Sequence, residues 1–146
     1  MIPLISIVGR PNVGKSTLFN RLLGRRKSIV FSQPGSTRDI IKERIEINGK
    51  IFFLIDSGGF DNEKEHYPQL IKKKVLNTIK NSDLILFMVD GQSGFQNEDR
   101  EILNIIRKED KKFIAIINKI DDKKVEENKS EFFKLGIKKF IEISAE

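Results

Sequence analysis

A chain of 146 residues suits one domain with one substantial core, and the absence of cysteine excludes disulfides and thiolate metal sites while suiting a reducing cytoplasm. The formal charge of +6, from 27 Lys plus Arg against 21 Asp plus Glu, favours polyanionic partners. The lysines stand in short scattered groups (Lys72-Lys73-Lys74, Lys111-Lys112, Lys123-Lys124, Lys138-Lys139) without interleaved aromatics, which favours solvated helix faces and strand ends over a dedicated RNA surface.

The apolar opening, residues 1–8, has no basic leader and runs straight into a glycine-bearing loop, so a buried strand over 4–8 is expected and neither a signal peptide nor a membrane span is. Gly9-Arg10-Pro11-Asn12-Val13-Gly14-Lys15-Ser16 then meets the phosphate-binding pattern G-x-x-x-x-G-K-[ST] at every fixed position. Behind it, residues 17–23, beginning Thr17-Leu18-Phe19, read as a helix capped by Gly24. Gly9 and Gly14 let the backbone curl so that successive N–H groups face inward, and the helix N-terminus adds partial positive charge. In such a cradle Lys15 reaches the β- and γ-phosphates and the Ser16 hydroxyl ligates a magnesium ion.

Residues 25–39 are polar and include Gln33-Pro34-Gly35-Ser36-Thr37, which predicts a loop. The alternation that follows puts Ile41, Ile45 and Ile47 on one face of a strand with Glu43, and Asn48-Gly49 signals a hairpin into a third strand over 50–55. Asp56-Ser57-Gly58-Gly59 ends that strand, and the polar stretch beyond carries the single histidine, His66, which is assigned no chemistry. Helical spacing at Ile71, Val75 and Ile79 leads to a buried strand over 84–89 that ends in Asp90. Ile102, Ile105 and Ile106 mark the next helix, and residues 113–117 the next buried strand, with Asn118-Lys119-Ile120-Asp121 at its carboxyl end. A weaker helical pattern with Val125, Phe132, Phe133 and Leu135 precedes a last strand over 138–143, followed by Ser144-Ala145-Glu146.

This order predicts an α/β chain with the three-layer P-loop NTPase fold: a doubly wound, mostly parallel six-stranded sheet with one antiparallel edge strand. Ligands bind such sheets at the carboxyl ends of the strands, where every polar motif named above falls. Asp56 at a strand end can hold magnesium, through water, against the phosphates. Asp121 can accept two hydrogen bonds from guanine, from N1–H and the exocyclic amine, which adenine cannot donate, so the segment argues for GTP over ATP.

These motifs, with Pro34-Gly35-Ser36-Thr37-Arg38-Asp39, Asp56-Ser57-Gly58-Gly59-Phe60, Val89-Asp90-Gly91 through Gly94 and Ser144-Ala145-Glu146, resemble those of the translation-factor-class GTPases of the Era, TrmE and Der group, most closely the first GTPase domain of the Der family. The resemblance covers essentially the whole chain. It implies a single GTPase domain over 1–146 that lacks its final helix, and further domains if the chain is a fragment, since Der proteins carry a second GTPase domain and a KH-like domain. It also implies a cytoplasmic GTP-hydrolysing switch in large ribosomal subunit assembly, with GTP or GDP and magnesium as cofactors and the subunit or its rRNA as partner. Thr37 would contact magnesium and the γ-phosphate, and the Gly59 N–H would sense that phosphate; with Lys15 they form the expected catalytic set. The nucleotide would lie against residues 9–17, Asp56 through Phe60, Asn118, Lys119, Ile120, Asp121, and Ser144 with Ala145 at the guanine O6. Phe60 stands where a water-orienting glutamine is found in Ras-like proteins and is assigned packing, not catalysis. In its place the resemblance implies a potassium ion held in part by Asn12, which joins Ser16, Thr37 and Asp56 as a metal ligand. Two other readings remain open: an Era- or TrmE-like module acting on another RNA or a tRNA-modification partner, and an ATP-dependent phosphotransferase. A third, an RNA-binding module in which nucleotide is incidental, is favoured by charge alone.

Overall fold

The computed structural model describes residues 1–24, 41–57, 68–118, 124–137 and 140–144. Strands and helices follow in the order β1 (Leu4–Val8), α1 (Lys15–Leu23), β2 (Ile41–Ile47), β3 (Lys50–Asp56), α2 (Pro68–Lys80), β4 (Leu84–Asp90), α3 (Asn97–Lys108), β5 (Phe113–Asn118), α4 (Lys124–Lys134) and β6 (Phe140–Glu142). They form one sheet in the order β2-β3-β1-β4-β5-β6. The β2–β3 pair is antiparallel and the other four pairings are parallel, as the Asn48-Gly49 hairpin and the alternating helices require. The chain therefore winds outward from β1 in both directions, and the loop after β1 opens at the switch point of the sheet.

Side-chain alternation on the central strands builds a core on each face. Val8, Phe87, Val89 and Ile117 point to one side, where Ile79, Leu103, Ile106 and Phe132 bring α2, α3 and α4 onto the sheet. Their neighbours Ile7, Met88 and Ile116 point to the other, packed with Val13, Leu18 and Phe19 around α1. Because both faces are covered, the parallel strands read as unbroken apolar runs.

Three strands outrun their apolar runs by one residue. Ile7 still pairs with Asp56, and Asp90 with Asn118, because ladder hydrogen bonds are indifferent to side-chain polarity. Helix α1 begins at Lys15, two residues before the apolar periodicity, with Gly14 in the left-handed region at φ 105 as its N-cap. At its other end Gly24 is left-handed at φ 69 and donates its N–H to the Arg21 carbonyl at 3.0 Å. Ile47 departs from the alternation: it is 43% exposed, because β2 is the sheet edge and Ile47 pairs with Lys50 beside the hairpin. The described part of the last strand spans residues 140–142 within the expected 138–143.

Helix α4 separates two adjacent phenylalanines that periodicity cannot rank. Phe132 is fully buried with its ring edge-on to Phe95 and Phe140, while Phe133 is 57% exposed and packs against Phe140 alone of these two. Phe132→Ala should therefore destabilise the fold by about 3–5 kcal/mol, against about 1 kcal/mol or less for Phe133→Ala, measured by urea unfolding. Equal losses at the two positions would contradict this placement of α4.

Candidate functional site

Every described strand-end motif lies along the carboxyl edge of the sheet. At its centre the glycine-bearing loop leaves β1 and is pressed against two neighbours. A Cβ on Gly9 would stand 2.6 Å from the Met88 carbonyl oxygen of β4, so the loop can pass the strand here only without a side chain. A Cβ on Gly14 would collide with the Asn118 side-chain amide, at a position that is also left-handed. Val13, between them, is wholly buried. Asn118 at the end of β5 donates from Nδ2 to the Val13 carbonyl at 2.8 Å, a buried bond that joins the phosphate-loop motif to the start of the Asn118-to-Asp121 motif.

Lys15 is 3% exposed, and its ammonium donates to the carbonyls of Gly9 at 2.7 Å and Arg10 at 2.8 Å. The positive charge is thus held across the loop that its own residue closes. On the α1 side Ser16 Oγ donates to Asp56 Oδ2 at 2.9 Å, which brings a hydroxyl and a carboxylate from β3 to one point. Two hard oxygen donors suit a magnesium ion that takes its remaining ligands from phosphate and water. Among the described residues no group of three or more His, Cys, Asp or Glu could hold a metal by protein ligands alone.

The remaining expected residues divide. Pro11, Asn12 and Thr17 are exposed on the loop and the first turn of α1, and Asn12 is left-handed at φ 67. Ser57 is turned inward, with Oγ donating to the Ile7 carbonyl at 2.7 Å, an anchor between β3 and β1. Ser144 is exposed just past β6, where the Ile143 N–H donates to the Ile117 carbonyl at 2.9 Å and so lays the segment beside Asn118. Arg10 keeps its backbone in the loop but sends its side chain to α3. Thr37, Gly58, Gly59, Phe60, His66, Lys119, Ile120, Asp121 and Ala145 lie outside the described residues.

Beside the loop lies a second cluster, in which Asp90 and Gly91 belong to a named motif but the sequence assigns no residue a role. Asp90 Oδ1 accepts the Gln92 N–H at 2.8 Å, and the Gly91 N–H donates to the Asn118 carbonyl at 2.8 Å. From α4, Asn128 Nδ2 donates to the Gly91 carbonyl at 2.8 Å. Asp99, in the first turn of α3, is fully buried; its Oδ2 accepts the Gln96 N–H at 2.8 Å and lies 3.2 Å from Arg10 Nε, while its Oδ1 has no partner. In the structure Asp99 stands three residues beyond Gln96, the N-cap of α3, in a capping-box position; glutamine is not among the usual cap residues, so the sequence marked neither bond. Burial pushes the Asp99 carboxyl above the usual carboxylate range, opposed by the Gln96 N–H and by Arg10.

The family model described as 50S ribosome-binding GTPase matches residues 4–119. The chain is 45% identical over 146 residues to GTPase Der of Halothermothrix orenii, covering 99% of this chain and 33% of that protein. It is 44% identical to GTPase Der of Aquifex aeolicus, over 97% of this chain and 33% of the relative. The chain thus spans about a third of the length of these relatives, over their first G domain. Among solved structures, Aquifex aeolicus Era bound to GDP and aluminium fluoride superposes with a TM-score of 0.78 at 33% identity, covering 99% of this chain and 51% of that one. Era in complex with MgGDPNP and nucleotides 1506–1542 of 16S ribosomal RNA gives a TM-score of 0.76 at 34% identity, with the same coverage. No helix among the described residues is long and apolar enough to cross a membrane.

A carboxyl whose pKa is higher folded than unfolded binds its proton more tightly in the folded state. Its contribution to stability is in place below the ordinary carboxylate range and is lost as pH rises through the folded pKa. Asp99→Asn removes this titration, so the stability of the parent relative to the variant should fall as pH rises from about 4. Urea unfolding of both proteins across that range checks it; parallel stability curves would show that Asp99 does not titrate in this way.

Proposed function

The chain belongs to the family of 50S ribosome-binding GTPases, and on that premise we propose that it is the GTP-operated switch domain of a longer protein that acts in large ribosomal subunit assembly in the cytoplasm. The observation that carries the reading is the buried Asn118-to-Val13 bond, because it couples the segment expected to choose the base to the loop expected to hold the phosphates. In this reading the backbone N–H groups of residues 9–17 receive the phosphates. Lys15 leaves its two carbonyl acceptors for phosphate oxygens, exchanging neutral hydrogen bonds for charge-assisted ones. Ser16, Asp56 and Thr37 would hold magnesium, which when bound would neutralise phosphate charge. The Gly59 N–H reports the γ-phosphate, and Ser57, Gly58 and Phe60 flank it without a catalytic role. Asn118, Lys119, Ile120 and Asp121, with Ser144 and Ala145, form the guanine side of the site.

Phe60 offers no side-chain amide to orient water and no arginine is assigned to the transferring phosphate, so this reading calls on a positive charge from elsewhere. In this reading Asn12 helps hold potassium, which when bound would stabilise the charge that develops between the β- and γ-phosphates. Its exposure and left-handed turn at the loop's outer bend support that reading. The likeness to Era, solved with a 16S rRNA segment, favours a second reading in which the RNA partner belongs to the small subunit. Co-sedimentation of the GTP-bound protein with isolated subunits separates the two.

Two measurements test the site. Asp121→Asn should weaken GTP by about tenfold or more and improve xanthosine triphosphate, because the asparagine amide offers a donor where xanthine carries an oxygen. Unaltered GTP affinity would refute the base assignment. Hydrolysis should be about tenfold faster in potassium than in sodium at equal ionic strength, and Asn12→Ala should remove the difference with GDP binding nearly intact. Identical rates in the two salts, or full stimulation in the variant, would eliminate the cation mechanism.

A further inference from the structure

The phosphate loop is held unevenly. Its second half is locked by the burial of Val13, by Asn118 on the Val13 carbonyl, and by entry into α1. Its first half bends through Pro11 and Asn12, both exposed, with Asn12 in the left-handed region. With Pro11 and Asn12 exposed, hydrophobic burial cannot fix this bend, so polar contacts must.

Arg10 begins this bend, and its two ends act in opposite directions. Its carbonyl accepts Lys15 Nζ at 2.8 Å inside the loop. Its guanidinium reaches out to the segment before α3 and to the first turn of that helix, where Nη2 donates to Ser93 Oγ at 2.5 Å and Nε to Asp99 Oδ2 at 3.2 Å. Two atoms of a rigid planar fork on two acceptors set the direction of the group as well as its position, which the point charge of a lysine would not. The acceptors are themselves anchored. Asp99 is bonded to the Gln96 N–H, and the segment carrying Ser93 is bonded to Asp90 at the end of β4 and to Asn128 of α4.

Asp99 is an expensive residue at this place. A buried carboxylate with one oxygen unpartnered loses solvation that its two bonds do not fully return, and a simple helix cap would not require it. What the carboxylate adds over a neutral cap is a charged, fixed acceptor for Arg10.

We propose that Arg10 is a positioning residue for GTP hydrolysis: gripped by Asp99 and Ser93, it holds the exposed bend at residues 10–12, with the carbonyl partners of Lys15 and with Asn12, in one conformation against the nucleotide phosphates. The inference rests on the reading of the chain as a GTP hydrolase. It separates ground-state binding from turnover. The second half of the loop, with Lys15, is sufficient to retain GDP, whereas the transferring phosphate depends on the bend being in register.

The test uses the 146-residue chain and measures single-turnover GTP hydrolysis and GDP affinity separately for the parent, Arg10→Ala, Asp99→Asn and the double variant. Arg10→Ala should hydrolyse about tenfold more slowly with GDP affinity within about twofold of the parent, and the double variant should be no slower than the slower single. Losses that multiply in the double variant, a rate unchanged by Arg10→Ala, or GDP affinity that falls in step with the rate would each overturn the proposal. If Arg10→Ala does not fold, Ser93→Ala on the exposed side of the grip decides: a fall of about two- to fourfold supports it and a parental rate overturns it. A parent that binds no GTP and hydrolyses none would overturn the reading of the site itself, and is distinguished from failure of this inference by the absence of any rate to compare.

Discussion

The hydrogen bond from Asn118 Nδ2 to the Val13 carbonyl spans 105 residues of chain and closes the site on itself. It is buried, so losing the donor would strand a carbonyl without water to replace it. Its geometry also dictates the residue at 14, because the amide of Asn118 occupies the space that any Cβ there would fill. Glycine is thus required twice over at this position, for its left-handed backbone and for the room it leaves to a partner from β5.

The sheet makes that closure possible. Parallel pairing of β1 with β4 and of β4 with β5 brings the carboxyl ends of all three strands to one edge, in register with Asp90 opposite Asn118. Polar groups that leave the strands there find one another: Ser16 with Asp56, Ser57 with the Ile7 carbonyl, and the Gly91 N–H with the Asn118 carbonyl. Each bond ties a loop or the first turn of α1 to a strand other than the one it follows, so the edge is a framework of cross-links with the phosphate loop at its centre. Helices α3 and α4 extend it through Asp99 and Asn128, which join the loop region to elements whose apolar faces are anchored in the core by Leu103, Ile106 and Phe132.

The loop motif, the strand–helix alternation, the Asn48-Gly49 hairpin and the two-sided core were all legible in the chain itself. Each rests on local chemistry: glycine and lysine at fixed spacing, β-branched runs bounded by turns, and apolar residues at helical period. Right-handed crossovers narrow the possible windings, but the order of the six strands came from the tertiary structure. Exposure was less legible. Ile47 and Phe133 carry the same local signal as Ile45 and Phe132, and their different burial depends on a sheet edge and a helix orientation that no short window contains.

The sequence by itself therefore determined the class of fold, the family, and which motifs meet at the carboxyl edge, because those follow from short-range pattern and topology. Only the tertiary structure decided which side chains bond across that edge. Arg10 looked like one more loop residue and instead grips Asp99, 89 positions away; Ser57 looked like part of the nucleotide site and turns its hydroxyl to β1. Such pairings depend on angstrom-scale distances between elements packed from distant parts of the chain. A one-dimensional pattern carries the identity of each group but not its direction, and direction is what a hydrogen bond requires.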